Sequence, residues 1–374
     1  MNKSRELIVE CNGNPLPKGL CKIKYTLPLI NSLVVEIDED DIDKLKEISE
    51  VKAIHSMPHI AAQMHNARKT VNAENLSYNG KGIAIAFLDT GISPTADFKN
   101  RVIMFKDLIN GKKEPYDDNG HGTHVAGIAC GSGNLSMGKY KGIAPMSEIV
   151  ALKTLDNEGK GSAAHILAGI QWIADNHKKY NIRIVNLSIG TASTNSDDPL
   201  VRASEALWDM GIVVVTAAGN NGPAPCTISS PGISKKVITV GSSDDSSETG
   251  IWGVNLKNFS GRGPTHDCII KPDLLAPGNN IVSCLNTGFP ARKEIKDGYY
   301  QALSGTSMST PMVSGAVAVL LEKNPMLSPD DVKLMLKKSC SSLGFPKNRE
   351  GWGLLNVSKL LSQEVIYARN KFNL

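Results

Sequence analysis

No uninterrupted apolar run in the sequence approaches the roughly 18 residues that a membrane span needs. There is no C-x-x-C pair. The 7 cysteines are odd in number and scattered, which argues against a disulfide framework and for free thiols in a reducing compartment. No Lys/Arg run with interleaved aromatics occurs, and 41 basic against 37 acidic residues leave a formal charge of +4. That balance does not suit a nucleic-acid partner. Residues 1–6 are polar and lead into only a few apolar ones, unlike a secretory signal. Internal repeats and low-complexity segments are also missing. These absences set an expectation of a cytoplasmic chain that engages neither membrane nor nucleic acid.

A length of 374 residues suits one large domain with a smaller one. Residues 1–66 read as the small unit and 67–374 as the large one. In the first, strands are expected over 23–27, 32–37 and 51–55. A helix between them starts at the acidic cap Asp38-Glu39-Asp40-Asp41 and carries Ile42, Leu45, Ile48 and Val51 on one face. Residues 57–66 are polar and irregular, as a linker would be, and 67–79 hold a short helix. From Ile83 the pattern changes. Short β-branched runs at 83–88, 149–153, 182–187, 212–216, 237–240 and 281–284 suit buried strands of a parallel sheet. Helical stretches at 122–130, 162–177 and 199–210 lie between several of them, and amphipathic helices at 328–338 and 352–361 close the chain. The expectation is an α/β fold, a doubly wound, mostly parallel sheet with helices on both faces, plus a small α+β N-terminal unit. Sites in such sheets lie outside the carboxyl ends of the strands.

Residues with chemistry stand at those ends. The first strand finishes Phe87-Leu88-Asp89-Thr90-Gly91. Asp-Thr-Gly also marks plain strand-to-turn junctions and aspartic proteases, but the latter need two such motifs on a nearly all-β chain. The words Gly120-His121-Gly122-Thr123-His124 open a helix. Two histidines three apart can bind zinc, yet the glutamate of H-E-x-x-H and a third ligand are missing. His124 reads as a buried, hydrogen-bonded helix residue. The run 213–222 is a strand ending in Asn220-Asn221-Gly222, a good turn whose side-chain amide can also serve an oxyanion. Finally, Gly305-Thr306-Ser307-Met308-Ser309-Thr310-Pro311 precedes the apolar stretch 312–321. A serine there is either a helix N-cap or a nucleophile set among free backbone N–H groups. The acidic pairs Asp117-Asp118 and Asp244-Asp245 read as solvated loop charges.

Asp89, His121, Asn220 and Ser307, each within its local word and in the order Asp…His…Ser, together resemble the subtilisin-like serine proteases, the subtilases, over about residues 75–360. The resemblance implies that Ser307 is the nucleophile, His121 its base and Asp89 the group orienting the imidazole. Asn220 and the Ser307 N–H would bind the oxyanion. It implies Leu187, Ser188, Ile189 and Gly190 as one wall of the pocket for the residue before the cleaved bond. Ala217, Ala218 and Gly219 would form the other wall, and Ser229, ahead of a cis Ser230-Pro231 bond, the floor. Gly159, Lys160 and Gly161 would be the edge to which substrate adds as a strand.

Residues 1–66 resemble the family's inhibitory propeptide in shortened form, since only a Pro/Gly-containing connection joins Glu10 to Cys21 where the family usually has a helix. The cut would fall around 57–67. No cofactor is implied as required. Many relatives hold calcium in a loop after the catalytic histidine, but here residues 131–141 carry no carboxylate and two lysines, poor company for a hard cation, and no metal ligand is assigned. Two functions follow. One is an intracellular serine endopeptidase made as a self-processing zymogen and acting on proteins or peptides. The other is a regulatory or binding protein of subtilisin fold, locked by its own N-terminal segment.

Overall fold

Backbone pairing and buried apolar side chains divide the chain into two compact units, Met1–Ile60 and Ala61–Leu374. The computed structural model describes residues 4–12, 20–28, 31–56, 64–191, 195, 197–246, 249–251, 254–286, 298–365 and 367–368. The expected linker and cut region falls mostly on 57–63, and the connection after Glu10 on 13–19; both lie outside the described residues.

In the first unit, β1 (Ser4–Cys11), β2 (Lys22–Leu27), β3 (Ser32–Asp38), α1 (Ile42–Lys46) and β4 (Val51–Ser56) follow in order. The strands form an antiparallel sheet in the order β2-β3-β1-β4. Leu7, Val9, Cys11, Val35, Ile37 and Leu45 are its buried core. The sequence reading missed β1, and its helix was too long: α1 stops at Lys46. Ile48 and Val51 still pack on the same core, the first from the turn and the second from β4. Their three-residue spacing therefore needs no continuing helix.

The second unit starts with α2 (Met64–Thr70), which runs through the expected 66/67 boundary. Then come β5 (Ala84–Asp89), β6 (Val102–Asp107), α3 (His121–Cys130), β7 (Glu148–Lys153), α4 (Ala163–Asn176), β8 (Ile182–Leu187), α5 (Pro199–Asp209), β9 (Val213–Ala217) and β10 (Ile238–Ser242). A hairpin β11 (Thr249–Ile251) and β12 (Val254–Leu256), β13 (Leu274–Ala276), β14 (Ile281–Cys284) and β15 (Tyr300–Leu303) precede α6 (Thr306–Lys323), α7 (Pro329–Ser339), α8 (Lys347–Glu350) and α9 (Val357–Ser362).

The sheet of this unit has seven parallel strands in the order β13-β10-β9-β8-β5-β7-β6. From β5 the chain goes to the edge strand β6, returns to β7 between the two, then crosses to β8 on the other side of β5. The order therefore reverses at β5 and β8, where an open α/β sheet leaves a crevice. Helices α3 and α6 pack on each other and on the sheet, and α4 and α5 form a second packed pair. This is the doubly wound α/β sheet that the apolar runs led us to expect. Several strands departed from the sequence reading. β6 and β13 were not anticipated, and β14 pairs antiparallel with β15 instead of joining the parallel sheet. All seven cysteines are free thiols. Among the described residues no helix is long and apolar enough to cross a membrane.

Helix α7 shows how local sequence fixes an element end. The Ser328 hydroxyl accepts from Asp331 N at 3.3 Å, and the Asp331 carboxylate accepts from Ser328 N at 2.9 Å, a reciprocal capping box. Ser328→Ala should lower unfolding free energy by about 1 kcal/mol. Denaturant titration should show this as a lower midpoint at unchanged slope; an unmoved midpoint would mean that the cap contributes nothing.

Candidate active site

Asp89 is the last residue of β5 and is 1% exposed. The turn after it and the start of α3 form one hydrogen-bonded unit around Asp117, which is fully buried. Its carboxylate accepts from Thr90 Oγ1 (2.9 Å), from the amides of Asn119 (3.1 Å), Gly120 (2.8 Å) and Thr123 (2.9 Å), and from Thr123 Oγ1 (2.6 Å). Thr90 Oγ1 in turn accepts from the Gly122 amide at 2.9 Å. Asp117 thus satisfies the free N–H groups at the head of α3 and binds that helix to the Asp89 turn. His121, the first residue of α3, places Nδ1 2.7 Å from Asp89 Oδ1. A carboxylate only accepts, so Nδ1 carries the proton and Nε2 is the basic nitrogen.

Ser307 is the second residue of α6, and a proline five residues into the helix decides its surroundings. Pro311 has no N–H, so the Ser307 carbonyl loses its i+4 partner. Ser188 Oγ donates to that carbonyl at 2.9 Å, and Ser307 Oγ donates to the Ser188 carbonyl at 3.1 Å. Ser188 Oγ itself accepts from Asn186 Nδ2 at 2.9 Å, and Asn186 Oδ1 accepts from Ser314 Oγ at 2.9 Å. A buried polar chain thereby joins β8 to α6. From β9, Asn220 Oδ1 accepts from Thr306 N (3.0 Å) and Thr306 Oγ1 (3.1 Å). This fixes the orientation of the amide and leaves Nδ2 as its donor.

His121, Asn220 and Ser307 line one cleft of about 470 Å³, together with Gly159, Lys160, Gly161, Ser188, Ile189, Gly190, Ala217, Gly219 and Ser229. Leu187 and Ala218 do not reach it: Leu187 belongs to the main core and Ala218 to a small cluster with Val201, Ile228 and Ile233. Ser229 is wedged between two glycines. A Cβ on Gly219 (φ +90°) would stand 2.1 Å from its Oγ, and one on Gly190 2.7 Å from its Cβ. Neither position admits a larger residue while Ser229 stays in place. The Ser230-Pro231 bond is cis. Sequence reading missed the apolar lining residues Leu155, Ile166 and Leu200, whose identities do not differ from those of core residues.

It also misjudged the acidic pairs. Asp117 is the buried cap just described, and Asp118 Oδ1 lies 2.6 Å from Nζ of the fully buried Lys153. Asp245 is 1% exposed and accepts from the Ser260 amide, while Asp244 accepts from Ser242 Oγ and the amides of Gly278 and Asn279. These carboxylates organise loops instead of facing water. The loop over 131–141 carries no carboxylate of its own. Among the described residues Asp97 reaches it, and its carboxylate accepts from Leu135 N, Ser132 Oγ, the Tyr300 hydroxyl and the Cys284 thiol, which leaves it poorly placed for a hard cation.

His124, one turn beyond His121, donates from Nε2 to the carbonyls of Ile281 (3.0 Å) and Gln301 (3.1 Å). Burial, and next the neighbouring His121, push its pKa down from 6.5 to about 3. The folded state therefore prefers neutral His124. Its contribution to stability is complete above pH 6.5 and is lost as pH falls through about 3. His124→Gln should flatten the acid side of the stability–pH curve by up to one proton, about 1.4 kcal/mol per pH unit. Denaturation midpoints across that range give the slope, and an unchanged slope would refute the assignment. An oxyanion role for Asn220 Nδ2 predicts that Asn220→Ala lowers kcat about 10²–10³-fold while Ser307 stays open to a serine-directed phosphonate, the magnitude being the one established for such a donor in subtilisin. Steady-state kinetics beside phosphonate labelling would check both halves.

A model of the subtilase family matches residues 80–353. Serine protease AprX of Bacillus subtilis (strain 168) is 40% identical over 333 residues, covering 84% of this chain and 75% of that protein. The alkaline protease of Shouchella clausii is 32% identical over 338 residues, covering 89% and 79%. Among solved structures, sphericase superposes with a TM-score of 0.64 at 29% identity over 78% of this chain and 97% of its own. The reversal point of the parallel sheet, the motif-bearing residues around its cleft and these matches lead to one assignment: the chain belongs to the subtilase family.

Proposed function

We propose that this chain is a serine endopeptidase that hydrolyses peptide bonds through an acyl-enzyme, with Ser307, His121 and Asp89 as its triad. The observation that carries the reading is the 2.7 Å contact between His121 Nδ1 and Asp89 Oδ1 beside a cleft that Ser307 and Asn220 also line. As substrate enters, the Ser307 hydroxyl turns from the Ser188 carbonyl to His121 Nε2. Oγ attacks the scissile carbonyl while Nε2 takes its proton. Asp89 keeps Nδ1 protonated and stabilises the imidazolium. The carbonyl oxygen, now anionic, receives hydrogen bonds from Asn220 Nδ2 and the Ser307 amide. The imidazolium then protonates the leaving amine, and water repeats the sequence on the acyl-enzyme. Substrates are proteins or peptides laid along Gly159, Lys160 and Gly161. Gly190, Gly219 and Ser229 hold the residue before the cut bond.

The first unit serves in this reading as an intramolecular inhibitor, removed by the enzyme itself. Its support is a compact fold separate from the rest of the chain. The test is intact mass over time for the wild type beside Ser307→Ala. Loss of about 60 residues from the wild type alone, as a domain of that span requires, supports self-processing. Peptide hydrolysis should vanish in the variant. A variant that keeps hydrolysing would refute Ser307 as the nucleophile. Two chains that stay full length and unreactive to a serine-directed phosphonate would favour the locked regulatory protein.

A further inference from the structure

Lys153 ends β7 beside Asp89, its partner in the parallel ladder, and its side chain is 0% exposed. A buried ammonium is costly unless all of its donors are used. Here all three are: Nζ donates to the Thr90 carbonyl at 2.7 Å, the Leu155 carbonyl at 2.8 Å and Asp118 Oδ1 at 2.6 Å. Each acceptor belongs to a different part of the site. Thr90 follows Asp89. Asp118 lies three residues before His121. Leu155 lines the cleft, and its amide donates, with that of Thr154, to the Asp89 carbonyl.

Resting on the triad reading above, we propose that Lys153 is a positioning residue for hydrolysis. One buried cation clamps the Asp89 turn to the loop that delivers His121, and its charge, balanced by Asp118, sets the electrostatic setting in which the imidazole ionises. Several titratable groups near His121 are shifted away from neutral pH. His124, on its own helix, stays neutral down to about pH 3. Tyr116, whose ring lies 5.3 Å from Nζ, stays protonated because burial pushes its pKa up to about 12. From the loop after β7, hydrogen bonds from backbone amides hold the Asp156 carboxyl below its ordinary value, and Glu158 raises Lys160. Among the described residues, Asp89 contacts the ring from β5, and Asp117, in the preceding loop, accepts from the amide of Gly120 next to it. Against this background the Lys153–Asp118 pair can be altered one charge at a time.

The experiment measures kcat/KM against pH for the full chain, with active sites counted by phosphonate titration. Asp118→Asn keeps both carbonyl bonds of Lys153 and leaves its positive charge unbalanced. The acid limb should move to lower pH by roughly half a unit. Lys153→Met leaves Asp118 unbalanced, so the limb should move up by a similar amount, with kcat per titrated site about tenfold lower and KM within about twofold. The double variant restores neutrality: its limb should return toward wild type while kcat stays low. If Lys153→Met does not fold, the Asp118→Asn limb decides alone. A limb that stays put in Asp118→Asn overturns the proposal. So does a Lys153→Met enzyme that loses only thermal stability and keeps wild-type kcat and limb. A wild type that neither hydrolyses peptide nor takes up the phosphonate overturns the triad reading itself and the proposal with it, whereas an active wild type with unresponsive variants overturns only the role of Lys153.

Discussion

The missing N–H of Pro311 governs much of this molecule. A proline inside a helix leaves the carbonyl four residues earlier without a partner and forces the chain to find one or pay for desolvation. Here that carbonyl belongs to Ser307, and the substitute donor is Ser188 Oγ, from the end of β8. The Ser307 hydroxyl returns a bond to the Ser188 carbonyl. The head of α6 is therefore fastened to the sheet by side chains that no regular helix would use, at the point where the strand order reverses. Asn186 and Ser314 extend the fastening into the core. Rigid placement of the Ser307 hydroxyl comes from this local defect in helical pairing.

Charge inside the second unit follows a similar rule: a buried ion is kept where it has several segments to join. Asp117 joins the turn after β5 to the head of α3, and Lys153 joins that turn to the loop before α3. On the far strands, Lys271 donates to the Val237 carbonyl, Thr239 Oγ1 and Asp273 Oδ2, while burial, opposed by Asp273, pushes its pKa down to about 7. Asp117 and Lys153 span chain segments that the parallel ladder leaves unconnected, whereas Lys271 reinforces the pairing of β10 with β13.

How much of this could be read beforehand depends on whether a residue's neighbours are local. The strand at 182–187 was legible to the residue, because Ile182, Ile184, Val185 and Leu187 cluster between the polar Asn181 and Ser188. Asp89, His121, Asn220 and Ser307 could be picked out because each is embedded in a word, and the fold brings the last three to one cleft with Asp89 against His121. β6 was missed because Lys106 and Asp107 break its apolar run at the sheet's edge, and β13 because it holds only Leu274–Ala276. β14 looks like a buried parallel strand, but its partner is set by a distant segment, β15. Asp117 and Asp118 looked solvated because acidic loop pairs usually are. Only the fold shows that the donors of Thr90, Thr123 and Lys153 converge on them. Leu187, at the end of β8, and Ala218, just past β9, have the right sequence position for a pocket wall, yet their side chains pack into hydrophobic clusters.

The seven-stranded sheet of the second unit helps bring together residues drawn from positions 89 to 307. A chain made from its N-terminus exposes Asp89 and His121 long before α6 exists. Contacts this distant in sequence are slow to form, because loop-closure entropy is lost before the paired strands compensate for it. In the proposed mechanism a growing chain therefore carries a base and its orienting carboxylate before it carries a nucleophile. On that reading reactivity arrives only with α6, after all seven strands of the parallel sheet have been synthesised. The order of residues along the chain would then act as a timing device, holding hydrolytic chemistry back until α6 has been made.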